Sequence, residues 1–337
     1  MRNGILIALG AAFALQGTTA MADELNLYTT REPKLVEPLL EAFTAESGIA
    51  VNTIFLKDGM PERVEQEGDA SPADLLMTVD IGNLVDLVDR GLTQPVESEV
   101  LTAAIPENLR DADGNWFALS LRARALYADK DLELTSFHYE DLADPEWQGR
   151  VCIRSGQHPY NIALTAAYIT HHGAEAARTW LEGVKANLAR TAGGGDRDVA
   201  RDIMGGICDI GIANTYYVGL MRSGAGGPEQ EEWARAIKLI LPTFENGGTQ
   251  VNVSGAAVAR HAPNRDAAVR LLEFLVSDEA QKIYADANFE YPVKPGVPVN
   301  ELVGEFGELH VDGTSLTTIA RERKAASELT DEVGFDN

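Results

Sequence analysis

The sequence predicts an α/β chain folded as two lobes, its strands alternating with helices as in a parallel sheet, with a ligand held in the cleft between them. Three observations predict it. Short apolar runs of strand character alternate with amphipathic helical stretches. At 337 residues the chain exceeds what one hydrophobic core usually serves. No internal repeat or low-complexity linker parts the two halves, so the chain is expected to pass between lobes more than once. In such folds the ligand sits between lobes, beyond the carboxyl ends of strands.

Residues 1–22 carry Arg2, an apolar stretch from Ile5 to Leu15 and an Ala20-Met21-Ala22 ending. That is the pattern of a secretory signal peptide cut before Asp23, and it implies export to the periplasm. Leu25 to Thr29 reads as a buried strand. It is followed by a helix over Glu32–Glu46, with Leu35, Leu39, Leu40 and Phe43 on one face and Pro33 in its first turn. Gly48 ends that helix, and Ala50 to Leu56 resumes as a strand. Ala73 to Val79 is a third strand, followed by a helix over Ile81–Val88 that Asp80 caps and Gly91 closes. Trp116 to Tyr127 is rich in strand formers and is expected to cross between lobes. Val151–Ile153 leads into a helix over Asn161–Thr170, and a second helix covers Ala174–Leu188. The glycines 193–195 make a loop before a helix around Val199–Met204. The strand Cys208–Ala213 follows, then strands at Ile237–Leu241 and Ser254–Ala259. One or two helices fill Arg265–Ala287, and a helical segment lies near Thr317–Leu329.

The 52 acidic side chains outnumber the 28 basic ones, a formal charge of −24. That balance argues against nucleic acid or anionic lipid as a partner and suits a dispersed, exported monomer. Zinc-protease, serine-hydrolase, phosphate-loop and dinucleotide motifs are all absent from the sequence, so no enzyme is expected. The two cysteines, in an exported chain, either pair or stay as buried thiols. Cys152 precedes Tyr160, and Cys208 precedes Tyr216, by the same eight residues, so a bridge would clamp two tyrosine-bearing segments together.

Tyr216 and Tyr217 close the strand ending at Ala213. Adjacent strand residues face opposite ways, so both phenols meet one ligand only if the chain turns there into a helix. They read either as half-buried aromatics at a sheet edge or as hard oxygen donors for a trivalent cation. Tyr160 sits at a comparable strand-to-helix junction, in Cys-Ile-Arg-Ser-Gly-Gln-His-Pro-Tyr. His158 could orient that loop, whereas His171 and His172 read as an exposed helix end. An aromatic cage for a small organic ion is an alternative use of the two adjacent tyrosines, and a tyrosine-ligated metalloenzyme is a more distant one.

In order along the chain, Asn26-Leu-Tyr-Thr-Thr-Arg-Glu32, Glu67-Gly-Asp-Ala-Ser-Pro-Ala-Asp74, Ser120-Leu-Arg-Ala-Arg124, Asp144-Pro-Glu-Trp-Gln-Gly-Arg150 and the tyrosine segments form one set of fragments. This set resembles the bacterial ferric-ion-binding periplasmic proteins, the substrate-binding components of iron ABC transporters, over essentially the whole mature chain. The resemblance implies a type II-like periplasmic binding protein fold, each lobe a mixed sheet flanked by helices. It divides the chain into a first lobe of residues 23–119 plus 247–294 and a second of 120–246 plus 295–337. It also implies Fe(III) as the cargo, Tyr160, Tyr216 and Tyr217 as its ligands, and an inner-membrane ABC permease with its ATPase as the partner. Many relatives place a histidine after the first strand, where this chain has Arg31, Glu32 and Pro33. Some place a glutamate after the third, where it has Val79 and Asp80. The chain is thus similar to members that complete the iron shell with a synergistic anion such as carbonate. Thr29, Thr30 and Arg31, ahead of a helix N-terminus, and Arg122, with Arg124 nearby, are the candidates to hold that anion. Each arginine could equally serve an ordinary ion pair.

Overall fold

A computed structural model describes residues 24–337 of the chain; the signal-peptide expectation over 1–22 lies outside the described residues. Nine strands and fourteen helices alternate along the described chain. Strand β1 (Glu24–Thr29), helix α1 (Pro33–Ser47), β2 (Ala50–Phe55), α2 (Met60–Glu67), β3 (Leu75–Thr78), α3 (Ile81–Asp89) and α4 (Glu99–Ala104) open it. The long β4 (Phe117–Asp129) leads to β5 (Val151–Cys152), α5 (Pro159–His172), α6 (Ala174–Ala186) and α7 (Asp196–Met204). Then come β6 (Ile210–Asn214), α8 (Thr215–Arg222), α9 (Pro228–Ala236), β7 (Ile237–Ile240) and β8 (Val251–Val258). Helices α10 (Arg265–Leu275) and α11 (Asp278–Asn288), strand β9 (Tyr291–Pro292), and helices α12 (Glu301–Gly304), α13 (Leu316–Arg321) and α14 (Arg323–Val333) complete it.

The strands run β2-β1-β3-β8-β4-β6-β5, with β7 and β9 also paired to β4. Parallel pairing is confined to β1 with β2 and β3 and to β5 with β6; the strands that join the two ends are antiparallel. Strand β4 is shared between the lobes. Its first part, Phe117 to Ala123, pairs with β8, and its second, Arg124 to Ala128, with β6. Twelve of its thirteen residues are buried, which is why it reads as a nearly unbroken apolar run despite Arg122 and Arg124.

Local chemistry sets the element ends. Gly48 closes α1 at φ 74°, a left-handed position that suits a residue without Cβ. The buried face of α1 is Val36, Leu39, Leu40 and Phe43, so Val36 takes the fully buried place expected of Leu35. Asp80 caps α3 by accepting from the Gly82 N–H at 2.9 Å. His171 and His172 are not exposed: they contact Asp312 at 3.1 Å and Glu140 at 2.7 Å, and His171 stacks on Phe244. The last turn of α5 is thus fastened by carboxylates from two distant segments.

Cys152 and Cys208 form a disulfide, with Cα atoms 5.8 Å apart and a separation of 56 residues. It ties β5 to the approach of β6, the two strands whose exits carry Tyr160 and Tyr216. Closing a loop of that length restricts the unfolded chain by about 4 kcal/mol in the chain-entropy account. The double variant Cys152→Ser/Cys208→Ser is therefore expected to lose roughly 2–4 kcal/mol in urea unfolding. A midpoint unchanged from the oxidised protein would contradict this.

Candidate functional site

Two strand exits build the site. β6 ends at Asn214 and the chain turns at once into α8, so Tyr216 and Tyr217 become the second and third residues of a helix. On a helix they lie about 100° apart instead of on opposite faces, and their rings come together, 4.0 Å between centroids. β5 delivers Tyr160 the same way, as the second residue of α5 after Pro159. The Tyr160 and Tyr216 phenol oxygens lie 3.3 Å apart, one hydroxyl donating to the other. All three rings are half-buried.

The loop under Tyr160 is fixed from both sides. His158 Nδ1 accepts from the Tyr160 N–H at 3.2 Å, and its ring lies edge-on to the Tyr160 ring at 4.5 Å. Burial, aided by the Arg154 charge, holds this imidazole down at about 4, so at neutral pH it is uncharged and able to accept. From the far end of the chain, the Asp336 carboxylate accepts from the Gly156 N–H at 2.7 Å and from Ser155 Oγ at 2.5 Å.

Cations surround these phenols. The guanidinium carbons of Arg122, Arg124 and Arg154 lie 5.7, 5.8 and 5.2 Å from the Tyr160 ring centroid, and that of Arg197 lies 5.7 Å from the Tyr217 ring. Asp196, buried at the first turn of α7, holds two of them: it accepts from Arg124 at 2.8 Å and Arg154 at 3.0 Å, and from the Asn214 N–H at 2.8 Å. Arg122 donates to the carbonyls of Val79 and Val253 and has no carboxylate partner. Arg31 is buried against Glu290 at 2.7 Å and Ser254 at 2.9 Å. Thr29 Oγ1 accepts from the Arg31 N–H at 2.9 Å, which leaves the hydroxyl hydrogen free to donate. The Nε atoms of Arg31, Arg122, Arg124 and Arg154 are buried without a protein acceptor.

The charges are coupled. Burial, then the neighbouring Tyr160 and Tyr217, push the Tyr216 phenol well above its usual value, and burial followed by Tyr160 does the same for Tyr217. Both are therefore neutral in the ligand-free protein near pH 7. Burial works against the charge of Arg31 and Arg122, but Glu290 together with neighbouring phenols outweighs it and keeps both above the ordinary guanidinium value. Tyr216 adds to this at both arginines, which places them within its electrostatic reach.

Among the described residues no group of three or more His, Cys, Asp or Glu side chains could hold a metal ion. Tyr28, by contrast with Tyr160, Tyr216 and Tyr217, is turned away: its hydroxyl donates to Glu67 at 2.9 Å. Arg154, Asp196 and Glu290 are the neighbours that sequence reasoning missed. Arg154 could have been found from its place two residues past β5, whereas Glu290 carries no local signal.

The chain matches the family described as bacterial extracellular solute-binding protein over residues 70–305. It is 41% identical over 323 residues to iron uptake protein A1 of Synechocystis, covering 94% of this chain and 89% of that one. Among solved structures, the Bordetella ferric binding protein superposes with a TM-score of 0.91 at 64% identity, over 94% of this chain and all of the other. A Trichodesmium protein in complex with iron and citrate ligands gives 0.88 at 38% identity, over 93% and 99%. These relatives are named for binding and uptake. The chain belongs to the bacterial extracellular solute-binding proteins, among their periplasmic ferric-ion-binding members.

Proposed function

We propose that this protein captures ferric iron in the periplasm through the phenolates of Tyr160, Tyr216 and Tyr217, with a synergistic anion, and delivers it to an ABC permease. The observation that carries the reading is the 3.3 Å approach of the Tyr160 and Tyr216 oxygens, from two strand exits, with the Tyr217 ring alongside. Phenolate is a hard anionic oxygen and suits ferric iron better than softer or less charged ions. Three phenolates balance the charge of Fe(III), and a bound dianion then meets the Arg31 and Arg122 guanidinium groups. Arg31, Arg122 and the Thr29 hydroxyl hold that anion in this reading, carbonate being the choice that fits a planar fork of donors. The citrate in the Trichodesmium complex offers the same carboxylate chemistry. An organic cation is disfavoured, because it would enter a cleft already lined by guanidinium groups.

The lobes follow the boundaries 23–119 plus 247–294 and 120–246 plus 295–337. Support comes from the change of partner along β4, which falls between Ala123 and Arg124, four residues beyond the 119/120 bound. Closure is then a hinge motion about β4 and β8. The protein works as an exported monomer that the permease, powered by its ATPase, unloads.

Replacing Tyr217 by Phe removes one oxygen and keeps the ring. Removing even an outer partner of a metal ligand costs 10- to 100-fold in affinity, so loss of a direct ligand is expected to weaken iron by more than about 100-fold. Titration with ferric citrate, followed by a visible phenolate-to-iron absorption band, measures it. Iron affinity equal to wild type would refute the assignment.

The pH dependence has a definite sign. Tyr216 and Tyr217 are protonated in the empty cleft because burial raises them, so loading iron must release their protons. Apparent affinity falls as pH drops and rises as pH increases towards the phenol values. Iron titrations across mildly acidic to mildly alkaline pH should show more than one proton released per iron, and a flat profile would exclude phenolate ligation.

A further inference from the structure

Among the described residues Phe289 is the one non-glycine with positive φ, at 56°. It caps α11 in the left-handed conformation, a place where glycine is usual. Strain of this kind persists only where the surroundings hold it. Here the holder is the tyrosine helix: a Cβ added to Gly219 of α8 would lie 2.7 Å from both Cβ and Cγ of Phe289. The Phe289 side chain therefore rests directly on the backbone of the helix that presents Tyr216 and Tyr217.

The next residue faces the opposite side of the cleft. Glu290 is buried; one carboxylate oxygen accepts from Arg31 at 2.7 Å, and the other accepts from Ser120 Oγ on β4. Arg31 also donates to Ser254 Oγ on β8 at 2.9 Å. Tyr291 then pairs with Leu121 of β4. Three consecutive residues thus touch the tyrosine helix, the basic group opposite it and a strand shared by both lobes.

We infer that Phe289-Glu290 couples the two halves of the site: Phe289 follows the position of α8, and Glu290 is a positioning residue that orients Arg31 and offsets its charge. This rests on the reading of the cleft as an iron and anion site. A shift of α8 on closure moves Phe289, and through the adjoining peptide changes how tightly Glu290 holds Arg31. An incoming anion competes with Glu290 for that guanidinium, so the carboxylate sets the anion concentration at which iron is bound.

The test compares wild type with Gly219→Ala and Glu290→Gln, titrated with ferric nitrilotriacetate at graded bicarbonate and followed by the visible band. Melting temperatures of the iron-free proteins check folding. Gly219→Ala is expected to weaken iron at least ten-fold without changing the band position, because the added methyl displaces α8 from the position it takes against Phe289. Glu290→Gln keeps the shape and removes the charge, so the bicarbonate needed for half the band should fall several-fold, an effect that loss of packing would not produce. Should Gly219→Ala fail to fold, Phe289→Gly replaces it: glycine suits φ 56°, the ring is gone, and iron affinity should again fall about ten-fold. Wild type that shows the band while the variants match it within two-fold overturns this inference alone. Wild type without any band overturns the iron reading and this inference together. A response to Gly219→Ala without a bicarbonate shift in Glu290→Gln overturns the coupling.

Discussion

One buried carboxylate organises the phenol side of the cleft. Asp196 draws Arg124 from β4, Arg154 from the end of β5 and the Asn214 N–H from the end of β6 to a single point. Each of these leads to a tyrosine: Arg124 and Arg154 flank the ring of Tyr160, and Asn214 is the last strand residue before Tyr216. Leaving a buried guanidinium without its carboxylate typically costs about 3–5 kcal/mol. The phenols therefore inherit their arrangement from an ion cluster they do not belong to. Asn161 reinforces it by accepting from Arg124 and donating to the Arg154 and Ser155 carbonyls, so the first turn of α5 is locked onto the same charges.

The acidity of the chain and the basicity of its cleft are parts of one design. A formal charge of −24 disperses the protein and steers cations towards it. At short range the potential reverses, because Arg31, Arg122, Arg124 and Arg154 are gathered where the chain is driest. Arg124 and Arg154 share the single Asp196 carboxylate and Arg31 has Glu290, while Arg122 keeps only main-chain carbonyl partners. The cleft thus retains positive charge in the absence of a ligand, and every guanidinium there has an Nε with no protein acceptor.

Much of this was legible in the sequence, for reasons that lie in particular residues. The strands that deliver the tyrosines are short apolar runs bounded by turn formers, and for the adjacent Tyr216 and Tyr217 to meet one ligand the chain has to turn from strand to helix, which α8 does. The stretch Trp116–Tyr127, expected to cross between lobes, is β4, and Arg122 and Arg124 lie on it. The short polar helices α2, α4 and α9 carry too little apolar periodicity to be seen, with two buried residues or fewer in each. Antiparallel pairing of β4 and β8 depends on partners more than a hundred residues apart, which local pattern does not encode. For the same reason the sequence hides the roles of Asp196 and Glu290, since a lone acidic residue in a loop looks identical whether it ends in water or against a buried arginine. The histidines at 171 and 172 were misread as a solvated helix end because Asp312 and Glu140 come from distant chain.

In the proposed iron site, selectivity would follow from combining neutral phenols with fixed cations. Before loading, Tyr216 and Tyr217 are protonated, so the cleft offers an approaching metal ion hydroxyl groups instead of anions, within a positive field. A weakly polarising divalent ion gains little there: it must oppose the arginines and cannot recover the cost of removing phenolic protons. In the proposed binding mode a small, highly charged ion displaces those protons and gains the phenolates, after which the same arginines become favourable to an accompanying anion. In that binding mode Lewis acidity counts for more than size, because burial keeps Tyr216 and Tyr217 protonated until a strongly polarising ion arrives.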